Sequence, residues 1–317
     1  MAVAISLSER GRGRTAPNPN VGCIIVRDGR VAGRGWTQPG GRPHAEAMAL
    51  QQAGEQAGGA TAYVTLEPCF HDSPRGPTCS RLLIEAGVKR VVIAARDSDG
   101  RTNGKGEAAL QYAGLEVVTG VLADRARAAM AGFFTRQVLG RPHVTLKLAT
   151  SLDGQIARAD GESRWITGPA ARAHTHLERA RHDAILVGRG TVDADKSRLD
   201  VRLPGLETRS PRPIMLGSGR PPKGWTAIVA PDDISALPDT DFLMVEGGAR
   251  TASTFLAADL VDRLLLYRAP ILIGAGKAAL GDIGLESLSA AHGRWRLADT
   301  RMLGPDRMEL YERVDAS

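Results

Sequence analysis

The sequence predicts two successive α/β domains. Three observations carry that reading. At 317 residues the chain exceeds one ordinary domain of roughly 100–200 residues. Short aliphatic, β-branched runs alternate with stretches of helical periodicity, the pattern of helices packed on a mostly parallel sheet. The alternation is interrupted once, at Gly140-Arg141-Pro142, and then restarts. The boundary is therefore drawn at Arg141, giving domains 1–141 and 142–317.

Each element has a local reason. Val21-Gly22-Cys23-Ile24-Ile25-Val26 is an apolar run ending in the turn residues Arg27-Asp28-Gly29-Arg30, and Val31 to Trp36 follows as its hairpin partner. His44 to Ala57 spaces Ala, Met and Leu helically and lacks proline, so a helix is expected. Ala62 to Leu66 reads as a strand. Cys79 to Ala86 reads as a helix stopped by Gly87, and Val88 to Ala95 as the next strand. A helix over Ala108–Tyr112, a strand over Leu115–Thr119 and a helix over Asp124–Gln137 close the first domain. In the second, His143–Leu148, Ala184–Val187, Phe242–Val245 and Arg263–Tyr267 read as strands. No internal repeat or low-complexity tract appears. Aromatics are only 4%, so the cores are built from Val, Leu, Ile and Ala.

Composition narrows the function classes. The formal charge is +6, from 41 Lys and Arg against 35 Asp and Glu, but no five basic residues are consecutive. An extended nucleic-acid track is not expected; the basic balance suits phosphorylated small molecules. Apolar stretches fall short of the ~20 residues that span a bilayer. Met1 to Leu7 lacks the basic start of a signal peptide. No membrane partner is expected, and the expected location is the cytoplasm. Cys23, Cys69 and Cys79 make an odd count, which is not a disulfide framework, and paired thiols in a reducing compartment more often bind metal.

The chemistry concentrates in His44-Ala45-Glu46, Pro68-Cys69 and Cys79. Catalytic zinc takes three protein ligands and keeps a fourth position for water; one imidazole and two thiolates fit that count. Glu46, two residues from His44 at a helix start, is placed to carry protons without ligating. His-x-Glu followed by Pro-Cys and a second Cys is the pattern of zinc deaminases. Cys79 opens the next helix, where the helix dipole is expected to favour its thiolate. Cys23, inside an apolar strand, reads as packing. In the second domain Glu246-Gly247-Gly248-Ala249 follows a strong strand, a turn whose backbone N–H groups can approach a phosphate or can simply be tight. Gly188-Arg189-Gly190 is too short for a Rossmann fingerprint. Lys147 is a charge in an apolar strand and needs a partner, a task or a path to solvent. His174, His176 and His182 are expected on one helix, where positions i and i+2 do not share a face, so a metal pair at 174 and 176 is not expected.

In order along the chain, these pieces make a longer pattern. It comprises Gly13-Arg14-Thr15-Ala16-Pro17-Asn18-Pro19-Asn20-Val21-Gly22, Pro43-His44-Ala45-Glu46, Tyr63-Val64-Thr65-Leu66-Glu67-Pro68-Cys69, Lys147-Leu148-Ala149-Thr150-Ser151-Leu152-Asp153-Gly154, Gly161-Glu162-Ser163-Arg164-Trp165-Ile166-Thr167 and Val245-Glu246-Gly247-Gly248. Over nearly its whole length the chain resembles the bifunctional bacterial riboflavin-biosynthesis enzymes, a pyrimidine deaminase fused to a reductase. The resemblance implies a cytidine-deaminase-like three-layer domain followed by a dihydrofolate-reductase-like domain. The first would remove the 2-amino group of 2,5-diamino-6-ribosylamino-4(3H)-pyrimidinone 5′-phosphate. The second would use NADPH to reduce the ribosyl group to a ribityl chain.

The same resemblance assigns residues. His44, Cys69 and Cys79 would hold one Zn2+ per chain, Glu46 would move the proton, and Asn18 and His71 would contact the ring substrate. Ala149, Trp165, Thr191, Asp195 and the turn Gly248, Ala249, Arg250, Thr251, Ala252, Ser253, Thr254 fall where the family binds NADPH. Ser163, Arg179, Leu199, Arg202 and Glu246 fall where it binds the phosphorylated pyrimidine; Arg179 and Arg202 suit phosphate oxygens. Lys147 and Asp195 would serve catalysis of the reduction. Such folds commonly form dimers or tetramers, so a homo-oligomer is expected.

The chain departs from the family pattern at the nine-residue spacing between Cys69 and Cys79, at Asp97-Ser98, at Met130 and at Asp195-Lys196-Ser197. The last change sets a base beside the expected reductase site. Two other readings remain open at this level: a nucleoside or RNA-base deaminase with an inactive partner domain, and a deaminase-like module that only binds. The intact His44, Glu46, Cys69 and Cys79 set argues against the second.

Overall fold

The structure, a computed structural model, describes residues 1–71, 76–195 and 198–314; the side chain of Asp195 and the neighbouring Lys196 and Ser197 lie outside the described residues. The chain forms two compact units, Met1–Gly140 and Arg141–Ser317.

In the first unit α1 (Ala2–Ser8) precedes the hairpin β1 (Gly22–Arg27) and β2 (Arg30–Trp36). Asp28 and Gly29 both take positive φ, 50° and 74°, the turn that matches the twist of paired antiparallel strands. Then follow α2 (Ala45–Ala53), β3 (Thr61–Leu66), α3 (Cys79–Glu85), β4 (Arg90–Ala95), α4 (Lys105–Tyr112), β5 (Glu116–Thr119), α5 (Ala123–Ala129) and α6 (Ala131–Leu139). The five-stranded sheet has the order β2-β1-β3-β4-β5. It is more mixed than the alternation implies: β1 runs antiparallel to both β2 and β3, and only β3, β4 and β5 are mutually parallel.

Helices cover both faces because glycines let them approach. A Cβ on Gly22 would lie 2.0 Å from the Ala4 carbonyl of α1. A Cβ on Gly35, which pairs with Cys23 and so faces the other way, would lie 2.0 Å from the Ala45 carbonyl of α2. The expected helix over 44–57 ends early, since Gly54 leaves the helical region with φ 54° and a short 3-10 turn, Gly54–Ala57, follows. The expected helix over 124–137 is two helices. The chain breaks at Met130 (φ −108°, ψ 21°), which turns fully into the core.

The second unit contains β6 (His143–Thr150), β7 (Gln155–Arg158), α7 (Pro169–Arg179), β8 (Ala184–Gly188), α8 (Arg189–Asp195), β9 (Arg212–Leu216), β10 (Thr226–Ile228), β11 (Phe242–Glu246), α9 (Ala249–Ala257), β12 (Arg263–Arg268), β13 (Gly276–Ala278), β14 (Trp295–Leu303) and β15 (Asp306–Arg313). Its eight-stranded sheet has the order β10-β9-β8-β11-β6-β12-β15-β14. It is parallel from β10 to β12 and antiparallel in the last two pairings. Strands β8 and β11 are apolar at consecutive positions because both faces are buried. Leu243 and Val245 join the core under α9, while Met244 joins Ile185, Leu265 and Tyr267 on the face that α7 covers. Alternation then puts Lys147 and Glu246, which pair in register, on the α7 face. Among the described residues, no helix is long and apolar enough to cross a membrane.

Two candidate active sites

In the first unit three elements converge. His44 caps α2 in an extended conformation, which leaves its ring outside the helix. Cys69 lies just beyond β3 and Cys79 opens α3, which is capped by Thr78. His44 Nδ1 lies 3.2 Å from Cys79 Sγ and 3.6 Å from Cys69 Sγ. Their ligand atoms all lie within 4.8 Å of one another, and among the described residues this is the His, Cys and carboxylate group that suits a metal. The other ring nitrogen, Nε2, is 3.1 Å from Asn18 Nδ2, which also donates to the Gly41 carbonyl at 2.8 Å. The loop between the cysteines closes at its base, where Ser80 Oγ donates to the Cys69 carbonyl at 3.1 Å.

The start of α3 also acts on the other cysteine. The Cys79 N–H points at Cys69 Sγ, 3.3 Å away. With the Cys79 thiol hydrogen-bonded to it and His44 beside it, Cys69 is held down to about 4 despite burial. Cys79 is pushed up by the shared bond with Cys69, by burial and by Glu46. The N–H that opens α3 thus acts on the sulfur in front of it, that of Cys69. Glu46 is 3% exposed, and burial raises its carboxyl.

A cavity of about 320 Å³ opens in front of this group; Asn18, His44, Glu46, Cys69, His71 and Asp97 contribute to its wall. His71 Nδ1 lies 3.3 Å from Thr102 Oγ1. Asp97 is pushed up to about 6, chiefly by burial. Arg101 forks onto Asp99 at 3.0 and 2.5 Å. Sequence reasoning missed Glu67. Its two oxygens accept the N–H groups of Asp97, Gly104 and Glu107 at 3.2, 3.0 and 3.1 Å, which holds the loop carrying Asp97 against the metal group. An acid immediately before Pro68-Cys69 was the available signal.

The second constellation lies on the α7 face of the large sheet. Arg179 donates through Nε and Nη2 to the two oxygens of Glu246 at 2.7 and 2.9 Å, and through Nη1 to the Asp200 carbonyl at 3.1 Å. Burial opposes the Glu246 charge, but Arg179 and Lys147 outweigh it and hold the carboxyl at about 2. Lys147 does not escape to bulk water. Its Nζ lies 5.9 Å from the Tyr267 ring centroid, and burial lowers its pKa. Tyr267 shares a 2.7 Å hydrogen bond with His174. Arg202 lies 3.5 Å from Asp200 and 3.3 Å from His176 Nε2. Ala149 is two residues from Lys147 on the same strand face.

The remaining expected residues are less gathered. Gly248 caps α9, so the strand-to-helix turn is present. Ala252 is packed in the core, Ser253 Oγ accepts Gly281 N–H at 2.8 Å, and Thr254 Oγ1 donates to the Arg250 carbonyl. Thr251 sits against Gly188, where a Cβ would meet its Oγ1 at 2.3 Å. What the segment from Ala249 to Thr254 offers a ligand is therefore chiefly its backbone. Thr191 is half-buried on α8, and Leu199 points into the core from a left-handed backbone, φ 54°. Ser163 is exposed, and Trp165, 66% exposed, carries the Arg172 guanidinium 4.6 Å over its ring. His182 lies beyond the end of α7, buried between the Glu178 carbonyl and Thr145 Oγ1. It is not on the helix with His174 and His176 as expected.

The known proteins to which this chain is similar cover both units. A family model for the cytidine and deoxycytidylate deaminase zinc-binding region matches residues 1–95, and the RibD C-terminal domain model matches 142–224 and 230–308. The riboflavin biosynthesis protein RibD of Escherichia coli (strain K12) is 39% identical over 96% of this chain and 96% of its own. That of Mycobacterium tuberculosis H37Rv is 40% identical over 96% and 94%. The Acinetobacter baumannii RibD structure, form 1, superposes with a TM-score of 0.89 at 37% identity, covering 99% of this chain and 98% of that one. A Thermotoga maritima diaminohydroxyphosphoribosylaminopyrimidine deaminase/5-amino-6-(5-phosphoribosylamino)uracil reductase gives 0.88 at 31% identity, covering 99% and 97%.

Proposed function

This chain belongs to the RibD family of bifunctional riboflavin-biosynthesis enzymes, and from that premise we propose which of its residues carry the two reactions. It is a deaminase and a reductase. The substrate of the first reaction is 2,5-diamino-6-ribosylamino-4(3H)-pyrimidinone 5′-phosphate, and the second reduces the deaminated product's ribosyl group. The observation that carries the reading is His44 Nδ1 facing two thiols with Glu46 buried alongside.

His44, Cys69 and Cys79 would hold zinc; an imidazole nitrogen and two cysteine sulfurs at mutual ligand distance suit that ion. Zinc held there would supply Lewis acidity that makes water a nucleophile near neutral pH. Glu46 takes a proton from the attacking water, passes it to the ring nitrogen, and serves the departing amine as ammonia leaves. Asn18 orients both His44 and the ring; His71 and Asp97 contact the ring from the other flank.

In the second unit NADPH supplies the hydride. Ala149, Trp165, Thr191 and the backbone from Gly248 to Thr254 would hold it, and the family pattern adds Asp195. Lys147 stabilises the oxygen of the sugar carbon being reduced, and Asp195 assists the proton. Glu246, held by Arg179, and Ser163, Leu199 and Arg202 bind the substrate, with Arg202 the more accessible cation for its phosphate. The chain acts as a cytoplasmic homo-oligomer on small molecules and not on nucleic acid or membranes.

The test supplies the diamino pyrimidine phosphate with and without NADPH and follows ammonia and NADPH together. Ammonia release followed by substrate-dependent NADPH oxidation is expected. The absence of both signals from a folded, zinc-loaded protein would overturn the reading.

A further inference from the structure

His174 and His176 share α7 with Arg179, and the chemistry proposed above uses neither histidine. They face different ways. His174 Nδ1 meets the hydroxyl of Tyr267, whereas His176 faces the segment that follows α8. That segment is anchored on both sides of Asp200: Leu199 and Val201 are buried, and the Val201 N–H donates to Ser210 Oγ at 3.0 Å. The Asp200 carbonyl accepts Arg179 Nη1 and lies equally close to His176 Nδ1, both at 3.1 Å. Arg202, two residues on, is exposed and brings Nη2 to within 3.3 Å of His176 Nε2. Its Nη1 lies 3.5 Å from Asp200 Oδ1, an ion pair without a hydrogen bond; among the described residues that oxygen has no hydrogen-bond partner. The other Asp200 oxygen faces Arg198 at 2.8 Å. Among the described residues, His176 is therefore the hydrogen-bond partner of the Arg202 guanidinium.

The neighbours of His176 fix its state. A carbonyl oxygen only accepts, so Nδ1 carries the hydrogen. A guanidinium only donates, so Nε2 presents its lone pair. The ring is neutral and holds one tautomer. We infer that His176 is a positioning residue for Arg202: in this neutral tautomer it holds the guanidinium in place for the substrate's phosphate, and on protonation it releases it. This deepens the function proposed for the second unit and rests on Arg202 binding substrate there. The charges around the ring agree. Arg179 of the same helix and Arg202 of the loop are the cations that face it; Glu246 of β11, bound by Arg179, and Asp200, paired with Arg198, are the acids. Burial and the two guanidiniums lower the imidazole's pKa, against the Asp200 carbonyl and Glu246. Protonation would set an N–H on Nε2 against a group that cannot accept it, so the bond to Arg202 breaks and two like charges meet.

The experiment follows NADPH oxidation by the full-length protein supplied with the already deaminated pyrimidine phosphate. H176L removes the acceptor, H176Q returns an uncharged oxygen in its place, and R202Q removes the cation. R202Q and H176L should both raise KM, H176L by roughly 3–10-fold for one hydrogen bond, with kcat within about twofold. H176Q should restore KM at about pH 8. Toward about pH 5 the KM of the parent should climb toward that of H176L, while H176Q should change only as the phosphate itself takes up a proton, so the ratio of the two reports the imidazole. Parallel pH profiles for the parent and H176Q, or an H176L that lowers kcat and spares KM, would overturn the inference. A second measurement needs no turnover. Isotope-edited NMR of the histidine ring nitrogens in the full chain, with H176Q to assign the signal, should show Nδ1 protonated and Nε2 bare; the opposite tautomer would sink the role. If R202Q leaves KM unchanged, the assignment of Arg202 to the substrate fails and takes this role with it. If R202Q raises KM and H176L does not, only the role of His176 fails.

Discussion

Burial raises the carboxyls of both Glu46 and Asp183, and their surroundings give them different work. Glu46 abuts the His44, Cys69 and Cys79 group, so its task is proton transfer and not ligation. Glu46→Gln keeps the shape and removes the base. It should retain one zinc per chain by metal analysis while ammonia release falls roughly 10²–10⁴-fold; retained turnover would defeat the assignment. Asp183 sits at the start of β8, and one of its oxygens, Oδ2, accepts both the Asp241 and the Phe242 N–H at 3.0 and 2.9 Å. Burial, with Asp241 adding to it, pushes its carboxyl up to about 7. An unfolded Asp titrates near ~3.9, so between about pH 4 and 7 the unfolded chain sheds a proton that the folded chain keeps. Stability contributed by this group therefore falls as pH rises through that window. Asp183→Asn retains an oxygen acceptor without the charge. It should match the parent near pH 4 and exceed it by roughly 1–3 kcal/mol at pH 8, read from urea unfolding at the two pH values. A pH-independent difference would contradict burial of the Asp183 charge as the cause.

At the scale of elements, the deaminase site depends on how closely α2 lies on the sheet. Gly33 and Gly35 of β2 present no side chain to that helix, and a Cβ at Gly35 would stand 2.0 Å from the Ala45 carbonyl and 2.6 Å from the Ala49 nitrogen. Gly35→Ala must push α2 outward, and α2 carries both the His44 cap and Glu46. We expect a loss of about 2–4 kcal/mol from the first unit and reduced zinc retention against a mild chelator. Full zinc affinity in that variant would show that the helix can shift without moving the ligand. In the second unit the comparable element is the pairing of β6 with β11. It sets Lys147 opposite Glu246, and α7 then lays Arg179 across the acid. Truncating one partner of such a buried pair strands the other charge.

For the whole molecule, the two candidate sites draw on separate stretches of chain, Asn18 to Asp97 and Lys147 to Thr254. Zinc removal should accordingly abolish ammonia release and leave NADPH oxidation intact when the already deaminated pyrimidine is supplied. Loss of both activities would mean that the reductase depends on the metal unit. The separation was legible in the sequence, where the strand–helix alternation restarts after Gly140. So were the five strands of the first sheet, the four strands β6, β8, β11 and β12 of the second, and the His44, Glu46, Cys69 and Cys79 set, whereas β9, β10, β14 and β15 were not. Apolar periodicity and ligand chemistry are local properties, readable within a few residues of each position.

The tertiary structure alone decided the rest, since it depends on register and on contacts between residues far apart in sequence. Sheet direction in the first unit follows from β1 lying between β2 and β3. That the N–H opening α3 meets the sulfur of Cys69, ten residues away, depends on the fold. Helix periodicity continues through Met130, yet the helix breaks there, at φ −108° and ψ 21°, with the side chain fully buried. Arg179 reads as a phosphate partner from its chemistry, yet Glu246, 67 positions away, occupies its fork.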